Sequence, residues 1–149
     1  MTTPDSRHPI SGIRIRPACV LVVDDDARIA ESLCELLSDE FVVRATSNPE
    51  DALASVLLGA WYDVILSDVM MPGMTGIDLY QRLHAVRPAQ AARIVFMTGG
   101  VGDDRLRAAL DGLPNLLLDK PVDVADLREL VRRRALVDPP RRFLRVAVE

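Results

Sequence analysis

The chain has 149 residues, 49% of them hydrophobic, which suits one domain with a full core. A net charge of -4 and a pI near 5.2 exclude an overall electrostatic drive toward nucleic acid. No apolar stretch reaches membrane-span length and the N-terminus lacks a signal-peptide core, so a cytoplasmic protein is expected.

Residues 1–16 are polar and interrupted by Pro4, Pro9 and Gly12, and read as a flexible lead. The apolar run 18–23 is short enough for a buried strand and ends on Asp24-Asp25-Asp26. Ile29, Ala30, Leu33, Cys34 and Leu37 then follow at helical spacing, with Asp26 as the expected cap. Phe41–Ala45 is a second strand. Asn48-Pro49-Glu50-Asp51 opens a helix, with a cap residue, Pro at the first position and acids in the first turn, and it continues to about Gly59.

Val64–Ser67 is a third strand ending on Asp68, followed by Met70-Met71-Pro72-Gly73. A helix from about Gly76 to Arg87 turns Ile77, Tyr80, Leu83 and Val86 inward, and Pro88 closes it. Arg93–Met97 is a fourth strand ending on Thr98-Gly99-Gly100. A weaker helix over about Asp103–Leu110, flanked by Gly102 and Gly112, should be the most mobile. Leu116–Leu118 is a fifth strand ending on Asp119-Lys120-Pro121. Asp123 caps the last helix, which buries Val124, Leu127, Leu130 and Val131. Pro139-Pro140 stops any continuation, and residues 136–149 read as a loose tail. The Arg-rich last quarter (Arg128, Arg132, Arg133, Arg134, Arg141, Arg142, Arg145) reads as a solvated helix face and tail rather than a DNA site.

Strand and helix alternate five times without a hairpin signal, which argues an α/β fold with a parallel sheet covered on both faces. In such a sheet every strand's C-terminal end lies on one edge, where ligands bind. Four of the five predicted ends carry chemistry: Asp24 and Asp25, Asp68, Thr98, and Lys120. Clustered carboxylates repel one another unless a cation neutralises them, and an all-oxygen site suits magnesium. With an ammonium and a hydroxyl facing the same spot, the set forms a receptor for a phosphoryl group with a carboxylate as nucleophile. Lys120 is the single lysine beside seventeen arginines, which suggests a position that needs a compact ammonium. Walker-type loops are absent. His8 and His84 are expected to be exposed and inert, while Cys19 and Cys34 lack metal-ligand spacing and read as core residues of a reducing compartment.

The motifs Val-Leu-Val-Val-Asp-Asp-Asp, Ile-Leu-Ser-Asp-Val-Met-Met-Pro-Gly-Met-Thr-Gly, Met-Thr-Gly-Gly and Leu-Asp-Lys-Pro-Val, in that order, resemble the receiver domain of two-component response regulators over about residues 18–134. The resemblance implies a flavodoxin-like, doubly wound, five-stranded sheet of order 2-1-3-4-5 with five helices, and a receiver domain at 17–135. It implies Asp68 as phosphoacceptor, magnesium (Mg2+) held by Asp24, Asp25, Asp68 and the Met70 backbone carbonyl, Thr98 on the phosphoryl oxygen, and Lys120 on the phosphoryl group. It further implies a cis bond before Pro121 and space for the phosphodonor beside Gly99. The donor would be a sensor histidine kinase or a histidine phosphotransfer protein. The chain would catalyse only its own phosphorylation and dephosphorylation, bind no nucleic acid or membrane itself, and form at most a weak homodimer.

One position departs from the family pattern. The family usually has Tyr or Phe three residues before the lysine, as a rotating switch, and Leu117 stands there. The Thr-Gly-Gly and Leu-Asp-Lys-Pro forms also resemble receivers attached to hybrid sensor kinases, which pass the phosphoryl group on. Too few residues follow the last helix for a helix-turn-helix module, so a single-domain receiver or an output on another chain is expected. Two alternatives stand beside this reading. One is a receiver used as a phosphorylation-independent docking domain. The other is a haloacid-dehalogenase-type phosphatase using Asp24 and Asp26, for which the usual Gly-Thr is replaced by Ala27-Arg28 and Asp68 has no role.

Overall fold

A strand buried on both faces must be apolar on both, and the short Val, Leu and Ile runs meet that demand. The computed structural model describes residues 17–100 and 104–135. The expected lead at 1–16 with His8, the Gly102 flank and the tail with Pro139-Pro140 lie outside the described residues. The elements are β1 (Cys19–Val23), α1 (Ala27–Leu37), β2 (Val42–Thr46), α2 (Pro49–Leu57), β3 (Val64–Asp68) and α3 (Gly76–Val86), then α4 (Pro88–Ala91), β4 (Ile94–Thr98), α5 (Asp104–Asp111), β5 (Leu117–Asp119) and α6 (Val124–Ala135). All strand pairs are parallel, in the order β2-β1-β3-β4-β5. The sheet and its order are therefore as expected.

Alternation along the strands divides the core in two. Leu21, Val23, Ile65, Ile94 and Phe96 pack with α2 and α3 on one face, and Leu110 of α5 joins them. Val20, Val22, Leu66, Val95 and Met97 pack with Leu33 and Leu37 of α1 and Leu127 and Val131 of α6 on the other. β3 and β4 are buried throughout, while β2 and β5 form the partly exposed edges.

Local chemistry explains the helix ends. Asp26, Asn48 and Asp123 accept from the backbone N–H groups of Arg28, Glu50 and Asp126 at 3.0, 2.9 and 3.0 Å. Thr75 and Asp78 form a reciprocal capping box. α2 stops at Leu57, short of the expected Gly59. Gly59 takes the left-handed conformation (φ 108°), and the N–H groups of Gly59 and Ala60 close on the carbonyls of Val56 and Ser55.

Three expectations change. Among the described residues there are six helices rather than five, because Pro88 starts a one-turn helix, α4, instead of only ending α3; its missing N–H costs nothing at a first helical position. Val86 is exposed, since it falls on the outer side of the last turn of α3. The cysteines are half-buried rather than core residues, and no disulfide joins them. His84 is exposed as expected, with its ring stacked on Tyr80. No helix among the described residues is long and apolar enough to cross a membrane.

The basic stripe of α6 is also not simply solvated. Arg128 donates to the Leu36 carbonyl at 2.6 Å and lies 3.3 Å from Asp39, and Arg132 makes two bonds to Glu40 at 2.6 and 2.9 Å. These pairs are exposed, so each contributes little to stability. They do settle how α6 lies against the end of α1.

Gly76 starts α3 where the helix meets the end of β3. Its N–H donates to the Val69 carbonyl at 2.9 Å, and a Cβ there would run into the Asp68 carbonyl oxygen. Gly76→Ala should therefore displace the Asp68 loop and destabilise the fold by about 2 kcal/mol or more. Urea denaturation of the two proteins measures it.

Candidate functional site

The parallel register brings the strand ends into line. Val23 of β1 pairs with Ser67 of β3, Asp68 with Met97 of β4, and Thr98 with Asp119 of β5. Each predicted polar group follows from that alignment. Asp24 continues β1, its N–H bonded to the Thr46 carbonyl at 3.2 Å, and its side chain is only 1% exposed. Asp68 ends β3 and is 6% exposed, and Asp25 is exposed beside them. Carboxylate oxygens of Asp24, Asp25 and Asp68 lie within 4.8 Å of one another. Lys120 reaches in from beyond β5, held by its N–H bond to the Thr98 carbonyl at 2.7 Å. Its Nζ lies 2.8 Å from Asp24 Oδ2 and 3.3 Å from Asp68 Oδ1. The Lys120–Pro121 bond is cis.

Thr98 is buried at the end of β4, and its hydroxyl accepts from the Gly100 N–H at 3.2 Å. The space beside Gly99 is open, since a Cβ there would meet nothing within 4 Å. Met70 lies two residues beyond Asp68, with its side chain exposed. The sequence-predicted carboxylates and Lys120 thus converge on one point, with Thr98 on the neighbouring strand end. Asp26 stands apart as the cap of α1.

Charge at this point is unbalanced. Burial, and next the Asp24 carboxylate, push the Asp68 carboxyl up to about 6, with the Lys120 ammonium opposing them. For Lys120 burial works to lower the value. The hydrogen bond to Asp24 and the charges of Asp68 and Asp24 outweigh it, and the ammonium is held above its ordinary range. One ammonium faces three carboxylates, so a further cation would relieve the repulsion. An all-oxygen donor set, two of whose members are buried, fits a small hard divalent ion.

Comparison with known proteins gives a consistent picture. The family model described as "Response regulator receiver domain" matches residues 20–132. A protein of Leptolyngbya boryana, described as an uncharacterized 14.6 kDa protein, is 34% identical over 81% of this chain and 92% of its own length. A response regulator receiver protein of Anaeromyxobacter sp. (strain Fw109-5) is 37% identical over 74% of this chain and 45% of its own length. The chain thus spans less than half of that longer relative. Among solved structures, a CheY-like response regulator receiver domain protein from Methanospirillum hungatei superposes with a TM-score of 0.67 at 23% identity. It covers 80% of this chain and 97% of that one, and shows the shared fold.

The raised Asp68 carboxyl has a pH signature in metal-free buffer. The folded protein holds this proton up to about 6, against an ordinary value of 3.8. The linked stability is fully present below the lower value and is lost as pH rises through the upper one. The full shift corresponds to about 3 kcal/mol, and solvent screening at the open edge should reduce it to about 1–2 kcal/mol. Asp68→Asn should therefore be more stable than wild type by that amount at pH 7.5 in EDTA, with the advantage fading toward pH 4. Paired urea melts across the range test it, and a constant difference would contradict the linkage.

Proposed function

The chain belongs to the response regulator receiver domain family, and we propose that its residues 17–135 form a receiver that accepts a phosphoryl group on Asp68 from a histidine kinase or histidine phosphotransfer protein. The observation that carries this reading is the Lys120 ammonium between the Asp24 and Asp68 carboxylates, at a sheet edge open beside Gly99. An Asp68 oxygen attacks phosphorus in line with the scissile bond. The phosphorus–nitrogen bond of the donor breaks, and its electron pair leaves with the imidazole. The product is an acyl phosphate on Asp68.

Lys120 sits where one of its N–H hydrogen bonds can be redirected from a carboxylate to a phosphoryl oxygen, so its charge stays beside the transferring group. Asp24, Asp25, Asp68 and the Met70 backbone carbonyl would hold magnesium, which supplies the additional positive charge that the phosphoryl oxygens and clustered acids require. Thr98 would then turn its hydroxyl from the Gly100 N–H toward a phosphoryl oxygen, which draws on the loop after β4. The protein acts on no separate substrate and works in the cytoplasm, where its donor presents the phosphohistidine. A dehalogenase-type phosphatase has no support in this family assignment.

Leu117 favours a second reading. It occupies the usual aromatic position and is 37% exposed on edge strand β5. An aliphatic side chain there cannot exchange buried and exposed rotamers with the consequence an aromatic ring has. The domain would then pass its phosphoryl group on, or dock independently of phosphorylation.

Incubation with acetyl phosphate and magnesium should add one phosphoryl group, seen by intact mass, and Asp68→Asn or EDTA should abolish it. Label that persists on the Asn variant would sink the assignment. Lys120→Arg should slow uptake by about a hundredfold, because the guanidinium fork is too large and too planar to sit between the two carboxylates. Uptake at the wild-type rate would show that Lys120 is not the stabilising group.

A further inference from the structure

One residue of β3 breaks its apolar pattern before the strand reaches Asp68. Ile65, Ser67 and Val69 share the face that packs under α3, and Ser67 is fully buried between its two apolar neighbours. A hydroxyl in such a place costs free energy unless it is hydrogen-bonded, and alanine would carry no such cost. Its presence therefore answers a demand of the backbone. The Val69 N–H donates to the Met97 carbonyl of β4 at 3.0 Å, so the Asp68 carbonyl of the same trans peptide points the other way, toward β1. β1 ends at Val23, which pairs with Ser67, so that carbonyl lies one residue past the β1–β3 ladder. The Ser67 hydroxyl donates to it at 3.0 Å.

Two more contacts hold the same stretch of chain. The start of α3 stands against the Asp68 carbonyl oxygen so closely that only glycine fits at position 76. The Gly76 N–H donates to the Val69 carbonyl at 2.9 Å. The Asp68–Val69 peptide is thus held at its oxygen by Ser67 and at its N–H by Met97, and the next carbonyl is held by Gly76. The carbonyl after that belongs to Met70.

We propose that Ser67 is a positioning residue for the metal and phosphoryl site. By fixing the Asp68–Val69 peptide it sets the aim of the Asp68 carboxylate and of the Met70 carbonyl together. The side-chain contacts of Asp68 leave this work to the backbone: the Lys120 ammonium is 2.8 Å from Asp24 but 3.3 Å from Asp68. A small divalent ion is exacting about where its oxygens stand, with ligand distances of about 2.0–2.1 Å for magnesium, so a loosened peptide weakens binding even when every ligand is present. The inference rests on the phosphoacceptor reading for the chemistry that the site performs.

Backbone nuclear magnetic resonance of the full chain provides the test, first in metal-free buffer and then on titration with magnesium chloride. In Ser67→Ala the Val69 and Gly76 amides should exchange with solvent about fivefold faster than in wild type, as loss of one buried hydrogen bond implies. The Val42 amide, bonded to the Ala18 carbonyl at 2.9 Å away from this stretch, should keep its rate. Half-saturation should need about fivefold more magnesium. Ser67→Cys, with a weak donor of similar shape, should fall between the two in both readouts. Ile65→Val opens space on the same strand face, and should lower overall stability without moving magnesium affinity. Wild-type magnesium affinity in Ser67→Ala would overturn the proposal. So would exchange that quickens equally at Val42, or an affinity loss shared by Ile65→Val, since either makes Ser67 a packing residue only. Acetyl phosphate labelling runs beside these measurements. A wild type that binds magnesium with this dependence on Ser67 but takes up no phosphoryl group would count against the phosphoacceptor reading alone.

Discussion

Two buried carboxylates cannot share one sheet edge without a cation, and here the Lys120 ammonium stands between Asp24 and Asp68. Much of the fold serves that meeting. Lys120 lies 96 residues from Asp24 in sequence and reaches it only because β5 is the outermost strand on the same edge, two strands from β3. Its backbone is tied to the end of β4 through the Thr98 carbonyl. Asp68 is placed by a fully buried strand, and the loop after it is drawn back to α3 by the close approach at Gly76. The neutralisation is incomplete, as the raised Asp68 carboxyl records. A site left in deficit of positive charge is one that a small divalent ion can complete.

The parts legible in the sequence were those with a local signature. β1, β3 and β4 read as apolar runs because parallel strands are buried on both faces, and the polar residues Asp24, Asp68 and Thr98 mark where each stops. Asp26, Asn48 and Asp123 were recognisable caps, because a short side chain before a periodic segment has one common use. Lys120 stood out because it is the lone lysine in a chain that otherwise uses arginine. Strand order came from family resemblance, since periodicity says nothing about neighbours. The resemblance also carried the assignment of Thr98, for a buried threonine ending a strand is otherwise ordinary.

The rest depended on pairings that no local pattern encodes. Pro88 is equally a helix stop and a first helical residue, and only the three-dimensional turn distinguishes them. Arg128 and Arg132 meet Asp39 and Glu40 across about ninety residues of chain, so the sequence of α6 by itself carries no sign of the complement. The same holds for the far edge of the sheet. There the buried Gln90 side chain bonds both backbone groups of Tyr62 at 2.9 Å, and the Asp63 carboxylate accepts the Cys19 N–H at 2.8 Å. These polar residues look like surface residues in sequence. They are buried because each satisfies a backbone group that the sheet leaves unpaired.

The chemistry and its readout therefore rest on unequal foundations. Asp24, Asp68 and Thr98 are carried by three central strands whose side chains are almost wholly buried, and that surround resists displacement. β5 has three residues, one neighbouring strand and two exposed leucines at its start, so it is bound by fewer apolar contacts than any central strand. Movement is least costly where burial is thinnest. Lys120 links the two regions directly, because it leaves β5 to reach the carboxylates on β1 and β3. A change in charge at Asp68 is therefore felt first by the one site residue whose strand has room to yield. That coupling requires no aromatic side chain at position 117.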